Sequence, residues 1–354
     1  MNTPLLYPLR FHSQFKQTIW GGSRIAALKN TVTPLEKIGE SWEISDVSGS
    51  ESVVMDGALQ GLTLSALLKD YKEQLVGESV YHRYGDTFPL LIKFIDAQDG
   101  LSIQVHPDDT VAKARHNCLG KSEMWYVMEA QNNAQLVSGF NRVLTTEAYQ
   151  RFVEEGRVEE IVKYHSAQEG DVFYLPPGRV HAIGKGILLA EIQETSNITY
   201  RIYDYNRTDS NGQHRELHVK DAQDVINYHD NKVEKIPYSS QPNTPTPLLA
   251  TPFFTTNLLE LTRPLERDYT ELDSFVIYIA LSGEFQVSVD TLISASTDAS
   301  VSSAVAMDGV TESLTRVTEN LTLVAGQTLL LPACFARSVV TPISKTVKLL
   351  EVYL

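Results

Sequence analysis

Three short segments in the first half of the chain carry side chains that bind metals. In SIQVHPDD, Gln104 and His106 stand two apart, so on a strand both leave the same face. In GKSEMWYV, Glu123 opens an apolar run, where an unpaired carboxylate is costly to bury. In GDVFYLPPGRVH, two prolines restrict the backbone and Gly178 permits a tight turn, which delivers His181 with little freedom left. Two imidazoles and a carboxylate, with the Gln104 amide oxygen as a fourth donor, suit a divalent first-row metal. Taken singly each has an ordinary explanation: a histidine after a turn is more often structural, Gln104 suits any strand, and Glu123 can pair with Lys121 at the surface. Together, in consecutive strand segments, they favour a metal site.

The elements that must position these residues are mostly strands. Short apolar or alternating runs such as PLLIKFIDA, EMWYVMEA, DVFYLPP, ILLAEIQ and TVKLLEVYL, punctuated by Gly, Pro, Asn and Asp, predict an antiparallel sandwich or barrel rather than βα units. Three amphipathic helices are expected, over 63–75 with Thr63 as N-cap, over 145–156 ending at Gly156, and over 219–228. The acids of HPDD read as a turn with helix-capping side chains, with no chemistry assigned.

One β-fold occurs twice. Residues 122–137 resemble 274–289, and 170–181 resemble 326–337 in the same order. This alignment sets Phe275 opposite Glu123 and Arg337 opposite His181, so the second copy keeps the scaffold without the polar pair. The division follows: a metal-binding domain over 1–235 with helical excursions, a Pro-rich linker over 236–252, and a C-terminal domain over 253–354 without metal ligands. The Ser, Thr, Ala and Val-rich stretch 291–321 is expected to form a long hairpin or excursion on the second domain.

Composition narrows the function classes. At 354 residues, with 42% hydrophobic and 21% charged residues, the chain reads as an ordinary globular protein of two domains. A net charge of -14 argues against nucleic acid or an anionic membrane as partner. No apolar run approaches the roughly 20 residues that span a bilayer, and no export signal is evident. Two cysteines, far apart, suit a reducing, cytoplasmic setting. A small anionic substrate stays possible, since it needs only a local cluster of cations.

The string Gly170, Pro176, Gly178, His181 is similar to the second cupin motif, and Gln104, His106 and Glu123 resemble an expanded first motif. Cupins are jelly-roll β-barrels, which implies a mainly β fold of two such barrels with a few helices. More narrowly, PLLIKFIDAQDGLSIQVHPDD, GKSEMWYVMEA, LPPGRVHAIGKGILLAEIQETSNITYRIYDYNR and RELHVKDA resemble the shorter bacterial branch of the type I phosphomannose isomerases, over about residues 15–228. The resemblance implies a metal-dependent interconversion of mannose 6-phosphate and fructose 6-phosphate with one bound zinc per chain, in a monomer or homodimer. It places the metal ligands on Gln104, His106, Glu123 and His181, the active-site glutamate on Glu191, the arginine on Arg201, and lysines on Lys93 and Lys121. Ser196-Asn197 stands where many relatives have Ser-Asp, so an aspartate base at that position is excluded. Arg207 stands where relatives have a lysine and keeps the charge.

Aldose–ketose isomerisation needs a base that reaches C1 and C2, a partner for the enediolate oxygen and a grip on the phosphate. Glu191 alternates with apolar neighbours and is the expected base, with orientation of a metal-bound histidine as its other reading. Lys121 is expected to exchange protons with sugar oxygens, and Arg201, among strand-forming residues, to face an anion. Lys93, Ser102 and Arg207 are candidates for the phosphate, and Trp42 for packing on the sugar or in the core. Two other classes remain: a non-haem iron oxygenase, against which Gln104 and the cation island argue, and a sugar-phosphate sensor that binds without turnover.

Overall fold

The computed structural model describes residues 4–31, 35–209, 211–294 and 314–354. In the first half lie β1 (Gln14–Gly22), β2 (Ile38–Ile44), β3 (Leu90–Ala97), β4 (Ile103–Val105), β5 (Glu123–Ala130) and β6 (Gln135–Phe140). They are followed by β7 (Val162–Ser166), β8 (Val172–Leu175), β9 (His181–Ala182), β10 (Ile187–Glu194) and β11 (Tyr200–Tyr203). These build a six-stranded sheet, β1-β2-β3-β10-β5-β8, facing a five-stranded one, β11-β4-β9-β6-β7. The second half holds β12 (Thr246–Ala250), β13 (Thr255–Leu261), β14 (Leu265–Asp268), β15 (Val276–Ser282) and β16 (Glu284–Ser294). Then come β17 (Leu314–Val324), β18 (Thr328–Leu331), β19 (Arg337–Pro342) and β20 (Val347–Tyr353). They form sheets β12-β13-β20-β15-β18 and β14-β19-β16-β17. The expected pair of antiparallel barrels is present.

The barrels pack through their larger sheets. Ile92, Phe94, Met124, Tyr126, Ala190 and Ile192 from the first share one core with Leu258, Phe275, Ile277, Leu330, Leu350 and Val352 from the second. Strands β3 and β10 are therefore buried along their whole length, one face in this shared core and the other in the barrel interior. This explains their nearly unbroken apolar sequences, which Lys93 and Glu191 interrupt on the interior face and Asp96 and Glu194 near the strand ends on the other. Leu9 adds a bridge, exchanging both backbone hydrogen bonds with Leu330 at 2.8 and 2.9 Å. Residues 246–250, within the stretch read as linker, form β12 and pair with β13.

The helices are α1 (Arg24–Leu28), α2 (Leu64–Tyr71), α3 (Glu73–Val76), α4 (Glu78–Tyr84), α5 (Asp109–His116), α6 (Thr146–Glu154) and α7 (Val219–Val225). The helix expected over 63–75 is capped by Thr63, which accepts from the Ala66 N–H, but Lys72 at φ 46 splits it into α2 and α3. Asp108 of HPDD caps α5 by accepting from the Val111 N–H. The hairpin expected within 291–321 is visible as the β16–β17 ladder, paired out to Ser294 and Leu314; the rest of that stretch, 295–313, lies outside the described residues.

The repeat is real, but its register differs by one residue from the sequence alignment. Glu123 pairs with Leu175 in β8, and the residue pairing with the matching Leu331 in β18 is Val276, not Phe275. Phe275 faces the shared core. The two copies therefore differ at the metal position by a valine inside the second barrel.

Candidate metal centre and active-site pocket

The pleat sorts the candidate residues onto two rungs that face each other across the first barrel. On the five-stranded sheet Arg201 pairs with Gln104, Gln104 with His181, and His181 with Ser138. On the six-stranded sheet Trp42 pairs with Lys93, Lys93 with Glu191, and Glu191 with Trp125. Glu123 lies two residues from Trp125 on the same face, about 7 Å along the strand.

His106, Glu123 and His181 converge, with one ligand atom from each within 4.8 Å of the others. The two imidazole Nε2 atoms are 3.1 Å apart. Glu123 Oε1 lies 3.4 Å from the first ring and Oε2 3.4 Å from the second. The turn that mounts His181 also ties it to His106: Gly178 at φ +85 donates its N–H to the His106 carbonyl at 2.9 Å, and an added Cβ would meet the Val225 carbonyl. His106 Nδ1 sits 2.8 Å from the Ile198 carbonyl and His181 Nδ1 2.9 Å from the Arg179 carbonyl. Carbonyls only accept, so each Nδ1 carries the proton and each Nε2 presents a lone pair. Burial lowers the basicity of both rings, that of His106 to about 4, which keeps them neutral.

Two acceptors thus face each other beside a carboxylate that can only accept. Burial alone would raise the Glu123 carboxyl, but the charge of Lys121 brings it well below its ordinary value. Lys121 supplies the nearest cation, 2.5 Å from Glu123 and 3.2 Å from His106 Nε2. Gln104 completes the cluster, its amide group 3.4 Å from His181 Nε2; a half-turn of that amide presents its oxygen to the same point. Three convergent lone-pair donors with their outer ring nitrogens already engaged fit a divalent cation.

Above the cluster opens a polar pocket of about 330 Å³. Gln104, Lys121, Lys93, Glu191, Ser102 and Arg201 line it, as the sequence suggested. Glu191 accepts from Trp125 Nε1 at 2.8 Å and holds Lys93 at 3.1 Å. Burial opposes the charge on Lys93, but Glu191 and then Glu40 raise its pKa, so it remains an ammonium. Ser102 donates to Gln104 Oε1 at 3.2 Å.

Two sequence-based candidates do not reach the wall. Trp42 is buried behind it, donating to Glu40 at 2.6 Å with Lys93 over its ring. Arg207 is turned away, its Nη1 donating to the Gly100 carbonyl and its Nη2 to Asp204. Conversely Trp20, Glu40, Asn197, Thr199 and Arg215 line the pocket. None of the four other than Asn197 was singled out.

The loop carrying Lys121 is held by three successive amides: Gly120 N–H donates to Asp109 at 2.8 Å, Lys121 N–H to the Pro107 carbonyl at 3.1 Å, and Ser122 N–H to Glu194 at 2.9 Å. Burial, and secondarily the charge of Asp109, push the Glu194 carboxyl up to about 8.

The second barrel keeps a glutamate at the matching place. Glu351 pairs with Tyr278 and Asn257 as Glu191 does with Trp125 and Lys93. Its oxygens are taken by Arg267 at 2.7 and 2.9 Å, Tyr269 at 2.6 Å and Asn257 at 2.9 Å. Among the described residues the only convergent metal-ligand group is the one in the first barrel.

A jelly-roll barrel with two neutral imidazoles and a carboxylate beneath a polar pocket defines a metal-dependent enzyme of the cupin fold. A family model of the type I phosphomannose isomerase catalytic domain matches residues 8–135. Mannose-6-phosphate isomerase ManA of Bacillus subtilis is 42% identical over 220 residues, 62% of this chain and 68% of the relative. The mannose-6-phosphate isomerase of Streptococcus mutans is 34% identical over 284 residues, 80% and 87% of the two chains. The crystal structure of the Bacillus subtilis mannose 6-phosphate isomerase superposes with a TM-score of 0.81 at 27% identity, covering 98% of this chain and 99% of that one. The chain belongs to the type I phosphomannose isomerase family, and it is an isomerase.

Proposed function

We propose that the first barrel, within residues 1–235, interconverts mannose 6-phosphate and fructose 6-phosphate through a cis-enediol, with Gln104, His106, Glu123 and His181 holding one zinc ion. The observation that supports this reading is the lone-pair cluster, whose neighbours Gln104 and Lys121 line one pocket with Glu191 and Arg201. A divalent cation bound there supplies Lewis-acid polarisation of the sugar oxygens at C1 and C2. Glu191 takes the proton from C2 and returns it to C1, with Trp125 and Lys93 orienting its carboxylate. Lys121 gives a proton to O1 and accepts one from O2, so that the aldehyde becomes a hydroxyl and the C2 hydroxyl a carbonyl. With Glu123 engaged in ligation, the Lys121 ammonium is available to the pocket that Lys121 lines. Asn197 lines the same pocket and, as an amide, serves only as a hydrogen-bond partner.

The second barrel, within 253–354, supports the first through the shared core and covers the outer face of its larger sheet. Among the described residues no helix is long and apolar enough to cross a membrane. Cys118 and Cys334 are free thiols, which supports the cytoplasmic reading. The test is fructose 6-phosphate formation from mannose 6-phosphate, before and after chelation and after adding zinc back. Loss and recovery of turnover is the expected result; oxygen uptake with iron, or binding without turnover, overturns it.

A further inference from the structure

At the arginine end of the pocket, three guanidinium groups gather near one buried carboxylate, which pairs with two of them. Arg207 and Arg215 both pair with Asp204, while Arg201 donates through Nη1 only to the Glu216 carbonyl, at 2.8 Å. Arg207 has used its donors on Asp204 and Gly100. Arg215 reaches Asp204 through Nε at 2.8 Å and through Nη2, and its Nη1 has no hydrogen-bond partner among the described residues. Arg201 Nε is buried and likewise without a partner among them. A buried donor left unpaired is costly, so an acceptor is expected there. Burial, and then the charge of Arg215, lower the Arg201 pKa below its ordinary value.

Both arginines line the pocket and Arg207 does not. Arg201 stands two strand spacings from His181, about 10 Å, with Gln104 between them, so the free donors lie on the side of Gln104 away from the histidines. Lys93 is a poor rival, because Glu191 at 3.1 Å and Glu40 at 3.7 Å already meet its charge.

We propose that Arg215, together with Arg201, binds the phosphate dianion of the substrate, and that Arg215 selects phosphorylated sugars, with Asp204 positioning its fork. The assignment rests on the sugar-phosphate isomerase reading and moves the phosphate grip from Arg207 to Arg215. Three cations against one carboxylate leave two positive charges to meet a dianion, and a guanidinium fork matches phosphate geometry.

The experiment compares zinc-loaded wild type with Arg215→Ala and Arg215→Lys, with zinc content and melting temperature checked for each. For Arg215→Ala, the KM for mannose 6-phosphate is expected to rise at least tenfold with a much smaller change in kcat. The inhibition constant of inorganic phosphate should rise by a similar factor, and Arg215→Lys should recover part of both. Calorimetric titration of inorganic phosphate into the metal-free proteins reads the same site without turnover, with weaker binding expected for Arg215→Ala. Unchanged KM and unchanged phosphate binding in Arg215→Ala overturn the proposal even if wild type isomerises the sugar phosphate. Wild type that binds phosphate through Arg215 but never turns over mannose 6-phosphate overturns the enzymatic reading instead. Should Arg215→Ala lose zinc or melt far below wild type, Arg215→Lys decides: phosphate binding equal to wild type in a variant lacking the fork counts against it.

Discussion

His106 and His181 present lone pairs to each other across 3.1 Å, and neither ring can relieve the contact by donating. The Lys121 ammonium, 3.2 Å from His106 Nε2, meets part of this repulsion from one side, and a divalent cation shared by both rings would meet the rest. We expect His181→Ala to lose bound metal and activity together, by more than about the hundredfold that loss of a ligand's outer partner typically costs. Metal analysis of the purified variant checks this. Zinc at normal stoichiometry removes His181 from the ligand set.

Glu191 separates ligation from proton transfer. Glu191→Gln keeps an acceptor for Trp125 and leaves the metal ligands untouched. Zinc content should be unchanged while kcat falls about 10²–10⁴-fold, the usual contribution of a positioned base. A steady-state assay on metal-quantified protein reads both, and near-normal kcat rules Glu191 out as the base.

Glu194 makes stability depend on pH. Its folded carboxyl, raised to about 8, holds a proton that the unfolded chain releases near its ordinary value of 4.5. Between these values the native state binds the extra proton, so the stability this group contributes is present at acidic pH and lost as pH rises. Glu194→Gln mimics the protonated form and still accepts from the Ser122 N–H. Relative to wild type, its stability should improve by about 1 kcal/mol for each pH unit from 5 to 8. Denaturant unfolding of the two proteins at pH 5 and 8 gives that difference, and a pH-independent difference refutes the assignment.

Glu351 is the second barrel's counterpart of Glu191, but enclosed. Glu351→Ala leaves Arg267 without its bidentate partner inside the barrel, and loss of one partner of a buried pair costs about 3–5 kcal/mol. Because Arg267 is partly exposed, the lower figure is expected, with zinc content and isomerase activity retained at 25 °C. Thermal unfolding and metal analysis test this; a loss of zinc without loss of stability would give Glu351 a role in the metal site.

Sequence alone determined the architecture, and it picked out Gln104, His106, Glu123 and His181, which the fold brings together. Alternation, punctuation by Gly and Pro, and the spacing of Gln104 and His106 are local properties, imposed by the pleat and by turn geometry within a few residues. The caps Thr63 and Asp108 are equally local. Tertiary structure alone decided which residues of the two sheets share a rung, because ladder register depends on the closure of the whole barrel, and a slip of one position turns every side chain to the other face. That is why Phe275 rather than Val276 was aligned with Glu123. It is also why the sequence points to Arg207, which stands where relatives have a lysine, and gives no reason to look at Arg215: only the fold around Asp204 turns one inward and the other away.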